Sequence, residues 1–159
     1  MVKINNERIN NLEELQKKIE YNFKDINLLH WALTHSSYAN EHKKQKIIYN
    51  ERLEFLGDSI LGLIVSEYIF IKYTNYPEGD LTKLRATVVC EPSLSYLAKK
   101  IDLGKYLMLG KGEEATGGRE RVSILADAFE ALIGAIYLDG KIENAKVFVL
   151  KYLSPIIQN

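Results

Sequence analysis

LEFLGDSILGLIV, residues 53–65, is a long apolar run that contains only two charged side chains, Glu54 and Asp58. Ionised carboxylates amid so much apolar surface are costly to desolvate unless a cation or another partner pairs with them. The run lies within a longer apolar pattern that predicts a buried helix over about residues 49–73, before a break at 75–77. Glu54 and Asp58 are therefore the first candidates for chemistry.

Length and composition indicate a globular protein with one domain, residues 1–159, that is long enough to bury a substantial core. Hydrophobic residues make up 47% of the chain and charged residues 26%, which argues against disorder. The 21 basic residues balance 21 acidic residues. Because net charge supplies no attraction for nucleic acid or for an anionic membrane, any polyanion must be held by local contacts.

Cysteine usage and hydropathy point to the cytoplasm. The single cysteine, Cys90, cannot form an internal disulfide, and the first ten residues contain no apolar secretory signal. The most apolar run, residues 60–71, is interrupted by Glu67 and followed by Lys72, so it is too short to span a bilayer. We expect a cytoplasmic protein that has no membrane partner.

Periodic apolar residues on both sides of the central helix predict an all-α fold. Segment 110–121 interrupts the pattern, because four glycines are mixed there with charged residues, and it is expected to form a mobile surface loop. The first expected helix starts at a capping box of Asn11 and Glu14 and carries Leu12, Leu15 and Ile19, and the second is capped by Asp25. After the central helix, one helix over 81–90 is capped by Asp80, and the next has Pro92 in its first turn and ends near Gly104. The last two expected helices cover 123–138 and 142–153.

Acidic residues share one face on each of two predicted helices. Because each residue advances about 100° around the axis, Glu51, Glu54 and Asp58 fall on one face of the central helix. On the later helix, Asp127 and Glu130 share a face with alanine and glycine, which would let another helix approach closely. We infer that the two helices pack together. Four carboxylates would then converge: Glu54, Asp58, Asp127 and Glu130.

The donor set of such a cluster favours a hard cation. Oxygen-only ligands select Mg²⁺ or Mn²⁺ rather than zinc. A di-iron bundle would need Glu-x-x-His pairs, and none of His30, His35 and His42 follows an acid by three positions. Spacing alone is equally compatible with carboxylates that are helix-surface charges or salt-bridge partners, so both interpretations stay open at this point.

Three blocks of the sequence resemble the ribonuclease III family of double-stranded RNA endonucleases. The blocks are NERLEFLGDS at 50–59, EGDLTKLRATVV at 78–89 and GGRERVSILADAFEALIGAIYLD at 117–139, and their order and spacing agree. The similarity extends from about residue 12 to residue 153. It implies the ribonuclease III endonuclease-domain fold and a homodimer. It also implies Mg²⁺-dependent hydrolysis of double-stranded RNA to 5′-phosphate and 3′-hydroxyl ends, in ribosomal RNA and mRNA processing.

The resemblance assigns roles to the four acids. Glu54, Asp58, Asp127 and Glu130 match the family's metal-site positions. Glu130 would be a direct metal ligand whose loss is the most damaging, and Asp58 would position the attacking water. Mg²⁺ is the implied cofactor, and Mn²⁺ can substitute for it.

Other positions that match the family concern the substrate and the dimer. Glu51 and Glu78 match outer acidic positions near the substrate. Lys83 lies in the second block and is either an RNA contact or part of a surface salt bridge. Phe55 matches an aromatic knob that fits a socket on the partner subunit, although without the resemblance it would be interpreted as an ordinary core residue.

Two further motifs have both a structural and a functional interpretation. The run His35-Ser36-Ser37 lacks the companion acid or base of a nucleophilic site, so helix-end capping is the favoured interpretation. Arg119 and Arg121 in the glycine-rich segment could meet phosphates, although GKGE at 110–113 is not a P-loop.

Bacterial members of the ribonuclease III family usually continue into a double-stranded-RNA-binding domain, of which this sequence shows no trace. We expect a nuclease-domain fragment rather than a naturally short form of the Mini-III type. Two non-enzyme functions are weighed against cleavage: a dimer that binds double-stranded RNA without cutting it, and a purely structural helical partner. The acids at all four positions argue against both, because RNA binding alone would favour loss of negative charge there.

Overall fold

The computed structural model describes residues 3–158 and consists of helices joined by short connections. Within that range there is no β-strand, and an isolated bridge pairs Thr34 with Met108. The predicted all-α fold is confirmed. The α-helices are α1 (Asn6–Ile19), α2 (Ile26–Ala32), α3 (Ser36–Glu41), α4 (Glu51–Lys72), α5 (Glu78–Val89), α6 (Glu91–Lys100), α7 (Lys111–Ala115) and α8 (Val122–Gln158), and 3₁₀ turns lie at Lys43–Gln45, Leu103–Tyr106 and Gly118–Glu120.

Helices α4 and α8 form the centre of the fold. They pack against each other more extensively than any other pair of elements, and α6 and α2 also pack on α8. The buried face of α4 includes Leu53, Leu61 and Val65, which are almost fully excluded from solvent. The buried helix predicted over 49–73 therefore agrees with the structure to within two residues at each end.

Helix starts agree with the sequence at two of the predicted positions. The Asp25 carboxylate accepts from the Asn27 N–H and caps α2, and Pro92 lies in the first turn of α6, as predicted. The predicted start of the first helix is wrong, because the cap is the Asn5 side chain, which accepts from the Arg8 N–H at 2.8 Å. The predicted cap at Asp80 is also wrong, since α5 begins at Glu78, directly after Pro77, and Asp80 lies in its first turn.

Helix α8 is interrupted close to the turn that the sequence predicted at 139–140. Lys141 has φ 65°, and the helix resumes and continues through Pro155 to Gln158, beyond the predicted end at residue 153. Just before the break, the Asp139 carboxylate ties α8 to the segment that precedes α2, since it accepts hydrogen bonds from the N–H groups of Lys24 and Asp25, each at 2.9 Å. The first part of α8, before Lys141, carries the acids.

The glycine-rich segment 110–121 is a correction to the sequence analysis, which expected a mobile loop. It forms α7 and a 3₁₀ turn instead. Arg119 donates to the carbonyl oxygens of Gly104 at 2.8 Å and Leu107 at 2.9 Å, and Glu41 accepts from the Lys111 N–H at 2.9 Å. Hydrogen bonds between charged side chains and backbone groups therefore hold this segment, and Arg119 is used within the protein.

Throughout residues 3–158, no helix combines the length and the apolar character that crossing a lipid bilayer requires.

Candidate metal centre

Two glycines allow α4 and α8 to approach closely where they cross. A Cβ atom on Gly57 would overlap the carbonyl oxygen of Glu130, and a Cβ on Gly134 would lie 2.5 Å from the carbonyl oxygen of Leu53. Any larger residue would therefore push the backbones apart. The close approach that small residues predicted is observed, and it brings together the acid-bearing faces of the two helices.

Four acids meet beside this crossing and are called the acid cluster: Glu54, Asp58, Asp127 and Glu130. Carboxylate oxygens of Glu54, Asp127 and Glu130 all lie within 4.8 Å of one another, and the three side chains are half-buried. Asp58 is more exposed, and its carboxyl group is hydrogen-bonded to that of Glu130. The structure thus brings together all four of the predicted metal-site acids.

Burial and mutual repulsion make the acid cluster hard to ionise. Burial raises the pKa of Glu130 to about 9, and the neighbouring Asp58 carboxyl adds to the shift. Burial also raises the pKa of Glu54 to about 7, with Asp127 as the next cause. Ionisation of the whole cluster therefore requires a positive charge close by.

Basic side chains do not supply that charge. Across residues 3–158, none of the four acids forms an ion pair with lysine or arginine, since the ion pairs lie elsewhere on the surface. The salt-bridge interpretation, which spacing alone left open, is therefore not what the structure shows. Closely spaced oxygen donors without nitrogen or sulfur ligands fit a hard divalent cation.

Two acids at the edge of the cluster modify it electrostatically. Glu51, one turn before Glu54 on α4, is exposed and helps to raise the pKa of Glu54. Glu91, the first residue of α6, helps to raise the pKa of Asp127, for which burial is the main cause. Sequence reasoning missed Glu91, because nothing in its local spacing indicates that α6 would carry it to the other acids.

Glu78 and Lys83 both lie on α5 and are not among the four acids of the cluster. Glu78 begins α5, after the far end of α4, which rises by roughly 30 Å over its length. Lys83 lies midway along α5, whose end is followed by Glu91, one of the acids that raise the pKa of Asp127. Both side chains are exposed, and Lys83 takes part in no ion pair within the described range. The salt-bridge interpretation of Lys83 is therefore not observed.

Phe55 lies on the opposite side of α4 from the core. Its side chain is 78% exposed, so the interpretation of Phe55 as an ordinary core residue is wrong. His35 caps α3, as predicted, because its Nδ1 accepts from the Ser37 N–H at 3.1 Å.

Solved structures place this fold among nuclease domains. The nuclease domain of ribonuclease III from Campylobacter jejuni, in a structure at 2.2 Å resolution, is 45% identical with a TM-score of 0.85, and the match covers 94% of this chain and 97% of that one. A second structure of that domain, described for flexibility in a region involved in dimer formation, is 46% identical with a TM-score of 0.84 and covers 91% and 96%. This chain therefore has the all-α fold of a ribonuclease III nuclease domain.

Sequence comparisons name the family. The sequence model of the Ribonuclease-III-like family matches residues 25–157. Ribonuclease 3 of Clostridium tetani is 58% identical over 147 residues, which cover 92% of this chain and 62% of that protein. Ribonuclease 3 of Listeria monocytogenes is 51% identical over 149 residues, which cover 94% and 65%. The chain belongs to the ribonuclease-III-like family, and it spans 62% to 65% of the length of these two relatives.

Proposed function

We propose that this chain is the catalytic domain of an endoribonuclease that hydrolyses phosphodiester bonds of double-stranded RNA with Mg²⁺, for which Mn²⁺ can substitute. The observation that carries the proposal is the acid cluster: three half-buried carboxylates with oxygens within 4.8 Å of one another and, among residues 3–158, no basic partner. Membership of the ribonuclease-III-like family supports the choice of RNA as the substrate.

The residues of the cluster divide the chemistry between them. Glu54, Asp127 and Glu130 would hold the divalent cation, since their oxygens converge. Asp58 is the most exposed of the four acids, and its carboxyl group is hydrogen-bonded to that of Glu130, so it can orient the attacking water from the solvent side. A divalent cation bound there would supply Lewis-acid activation of that water and charge stabilisation of the departing 3′ oxygen. The products would carry 5′-phosphate and 3′-hydroxyl ends.

Substrate recognition would rest on shape and backbone contacts. A-form RNA hides its base edges in a deep and narrow groove, so proteins contact its phosphates and 2′-hydroxyls. Lys83, exposed and without an ion pair among residues 3–158, is the basic contact we propose on α5, with Glu51 and Glu78 as acids near the substrate. Ribosomal RNA and mRNA precursors in the cytoplasm are the substrates that we propose.

A second copy of the chain would cover the apolar stripe of α4, which consists of Phe55, Leu63 and Phe70. These side chains are 78%, 58% and 69% exposed, and they fall within about 80° around the helix. We propose that two copies pair through this stripe and that Phe55 is the knob that enters the partner subunit. An antiparallel pairing of the two α4 helices would bring Glu78 of one copy towards the acid cluster of the other.

Cleavage of long double-stranded RNA by the purified protein tests the proposed function. We expect cutting in Mg²⁺ but not in Ca²⁺, and we expect Glu130→Ala to remove the cutting while the circular dichroism spectrum stays helical. An active Glu130→Ala protein would contradict the metal assignment. Binding of RNA without cutting in either cation would instead indicate an RNA-binding platform.

A further inference from the structure

His35 lies at the end of α4 that carries the acid cluster. Its own N–H donates to the Met108 carbonyl oxygen at 3.0 Å, and the carbonyl oxygen of the preceding residue, Thr34, accepts from the Asn50 N–H at 2.9 Å. Asn50 is the residue directly before α4. The His35 ring is also close enough to Asp127 to lower the pKa of that carboxyl group, which burial raises.

Hydrogen bonds on one side of the ring fix its orientation. Nδ1 accepts from the Ser37 N–H at 3.1 Å and lies 2.8 Å from the Ser37 Oγ. The Ser37 Oγ in turn accepts from the Gly110 N–H at 2.9 Å, which leaves its own proton for Nδ1. Because Nδ1 serves as an acceptor, the ring proton resides on Nε2.

The Nε2–H group is left as an open donor on a ring that acts electrostatically on Asp127. No hydrogen bond joins it to any other group of residues 3–158, and the His35 side chain is half-buried rather than enclosed. Capping of α3 uses only Nδ1, and asparagine, aspartate or serine would cap as well as histidine. Helix capping therefore accounts for one ring nitrogen and leaves the other without a role.

We infer that His35 donates its Nε2–H to an oxygen of the RNA sugar–phosphate backbone next to the scissile bond, and so positions the strand over the acid cluster. This inference rests on the proposed function, which supplies the RNA. The acceptor is either a ribose 2′-hydroxyl or a non-bridging phosphate oxygen, and both present an oxygen acceptor to a fixed N–H donor. The carboxylates cannot fill this role, because they are acceptors when ionised.

Single-turnover cleavage by His35→Asn tests the inference, because asparagine keeps the cap but lacks the distant N–H. We expect a thermal unfolding midpoint close to that of the unchanged protein and a cleavage rate lower by roughly 10- to 100-fold, as for the loss of one positioned hydrogen bond. His42→Asn is the matched control, since His42 bonds to the Tyr38 carbonyl oxygen and stacks on the Tyr38 ring. A His35→Asn protein that cuts at the unchanged rate overturns the inference. Failure of the unchanged protein to cut would instead refute the proposed function.

Chemically altered RNA identifies the acceptor and gives a readout that a structural role would not change. Substrates carry either one 2′-deoxyribose or one phosphorothioate beside the cut site. In a double-mutant cycle, the alteration that removes the His35 partner slows the unchanged protein but adds little to His35→Asn. If both alterations slow His35→Asn and the unchanged protein by the same factors, His35 does not contact the backbone and the inference is wrong. If His35→Asn fails to fold, His35→Ser replaces it in the cycle, because serine is also a good helix cap. The altered substrates can in any case be tested on the unchanged protein.

Discussion

The two faces of α4 hold opposite kinds of costly surface. One face carries Glu54, half-buried towards the acids of α8, where burial raises its pKa to about 7. The other face exposes the apolar stripe, in which Phe55 is 78% exposed to solvent. Carboxylates are ordinarily solvated and large apolar side chains ordinarily buried, so each face reverses the usual preference.

The contrast shows that neither face is satisfied by the chain that carries it. The acid cluster needs positive charge close by to ionise fully, and no lysine or arginine within residues 3–158 pairs with it. The stripe needs apolar contact, and a second copy is the partner that we propose. A single helix would thus have a cation on one side and a subunit on the other, which couples catalysis to assembly through one rigid element.

The largest expected effect comes from breaking the buried face with Gly57→Ala. The added Cβ would overlap the backbone of α8, which cannot move aside like a flexible side chain, so we expect destabilisation of about 3 kcal/mol or more. Urea denaturation measures the change. Gly112→Ala is the matched control, because a Cβ there meets nothing within 4 Å and should change stability by less than about 1 kcal/mol. Equal effects of the two substitutions would show that the helix crossing is not tight.

Phe70→Glu breaks the exposed face and should have the next largest effect. A charge placed in a desolvated interface twice, once from each copy, should weaken dimerisation by about 100-fold, or roughly 3 kcal/mol. Sedimentation equilibrium measures the change. Tyr96→Glu on α6 is the control, since Tyr96 is 53% exposed and lies outside the stripe. A Phe70→Glu protein that dimerises normally would remove the stripe from the interface.

A smaller effect concerns the pH dependence of stability in the presence of a chelator. The pKa of Glu130 in the folded protein is about 9 and its ordinary value is 4.5, so the folded state binds more protons than the unfolded state between these pH values. The free energy of unfolding should therefore be highest below pH 4.5 as far as this group is concerned, and should fall as pH rises towards 9. Solvent near a half-buried group reduces the full linkage value, and we expect a loss of about 2 kcal/mol.

Chemical denaturation at about pH 5, 7 and 9 measures this slope. Glu130→Gln cannot ionise and should flatten the slope, and added Mg²⁺ should flatten it as well, because the cation stabilises the ionised form. A slope that is the same in Glu130→Gln would assign the pH dependence to other groups.

Much of the acid cluster could be predicted from the sequence because its information is local. Spacings of three and four residues place Glu54 with Asp58, and Asp127 with Glu130, on single helix faces. Gly134 next to the later pair indicated a close helix approach. The central helix was predictable for the same reason, since apolar periodicity fixes a buried helix without knowledge of its partners.

Features that depend on distant parts of the chain could not be predicted. Segment 110–121 has the composition of a loop, yet it is held in part by Glu41, 70 positions away, which accepts from the Lys111 N–H at 2.9 Å. Glu91 lies near Asp127 only because α6 packs on α8. The exposure of Phe55 could not be predicted either, because an apolar side chain by itself does not reveal whether it packs within its own chain.

Calorimetric titration of Mn²⁺ into the protein at about pH 7 is the most direct test of the claim that the acid cluster is a cation site. Binding should release protons, since the pKa values of Glu54 and Glu130, about 7 and about 9, leave protons on the cluster at that pH. Heats measured in two buffers give the number of protons. We predict Mn²⁺ binding with proton release for the unchanged protein and for the control Glu143→Gln, in which the replaced side chain is exposed and lies outside the cluster. We predict no Mn²⁺ binding for Glu130→Gln. Equal Mn²⁺ binding by Glu130→Gln, or no binding by the unchanged protein, would contradict the claim.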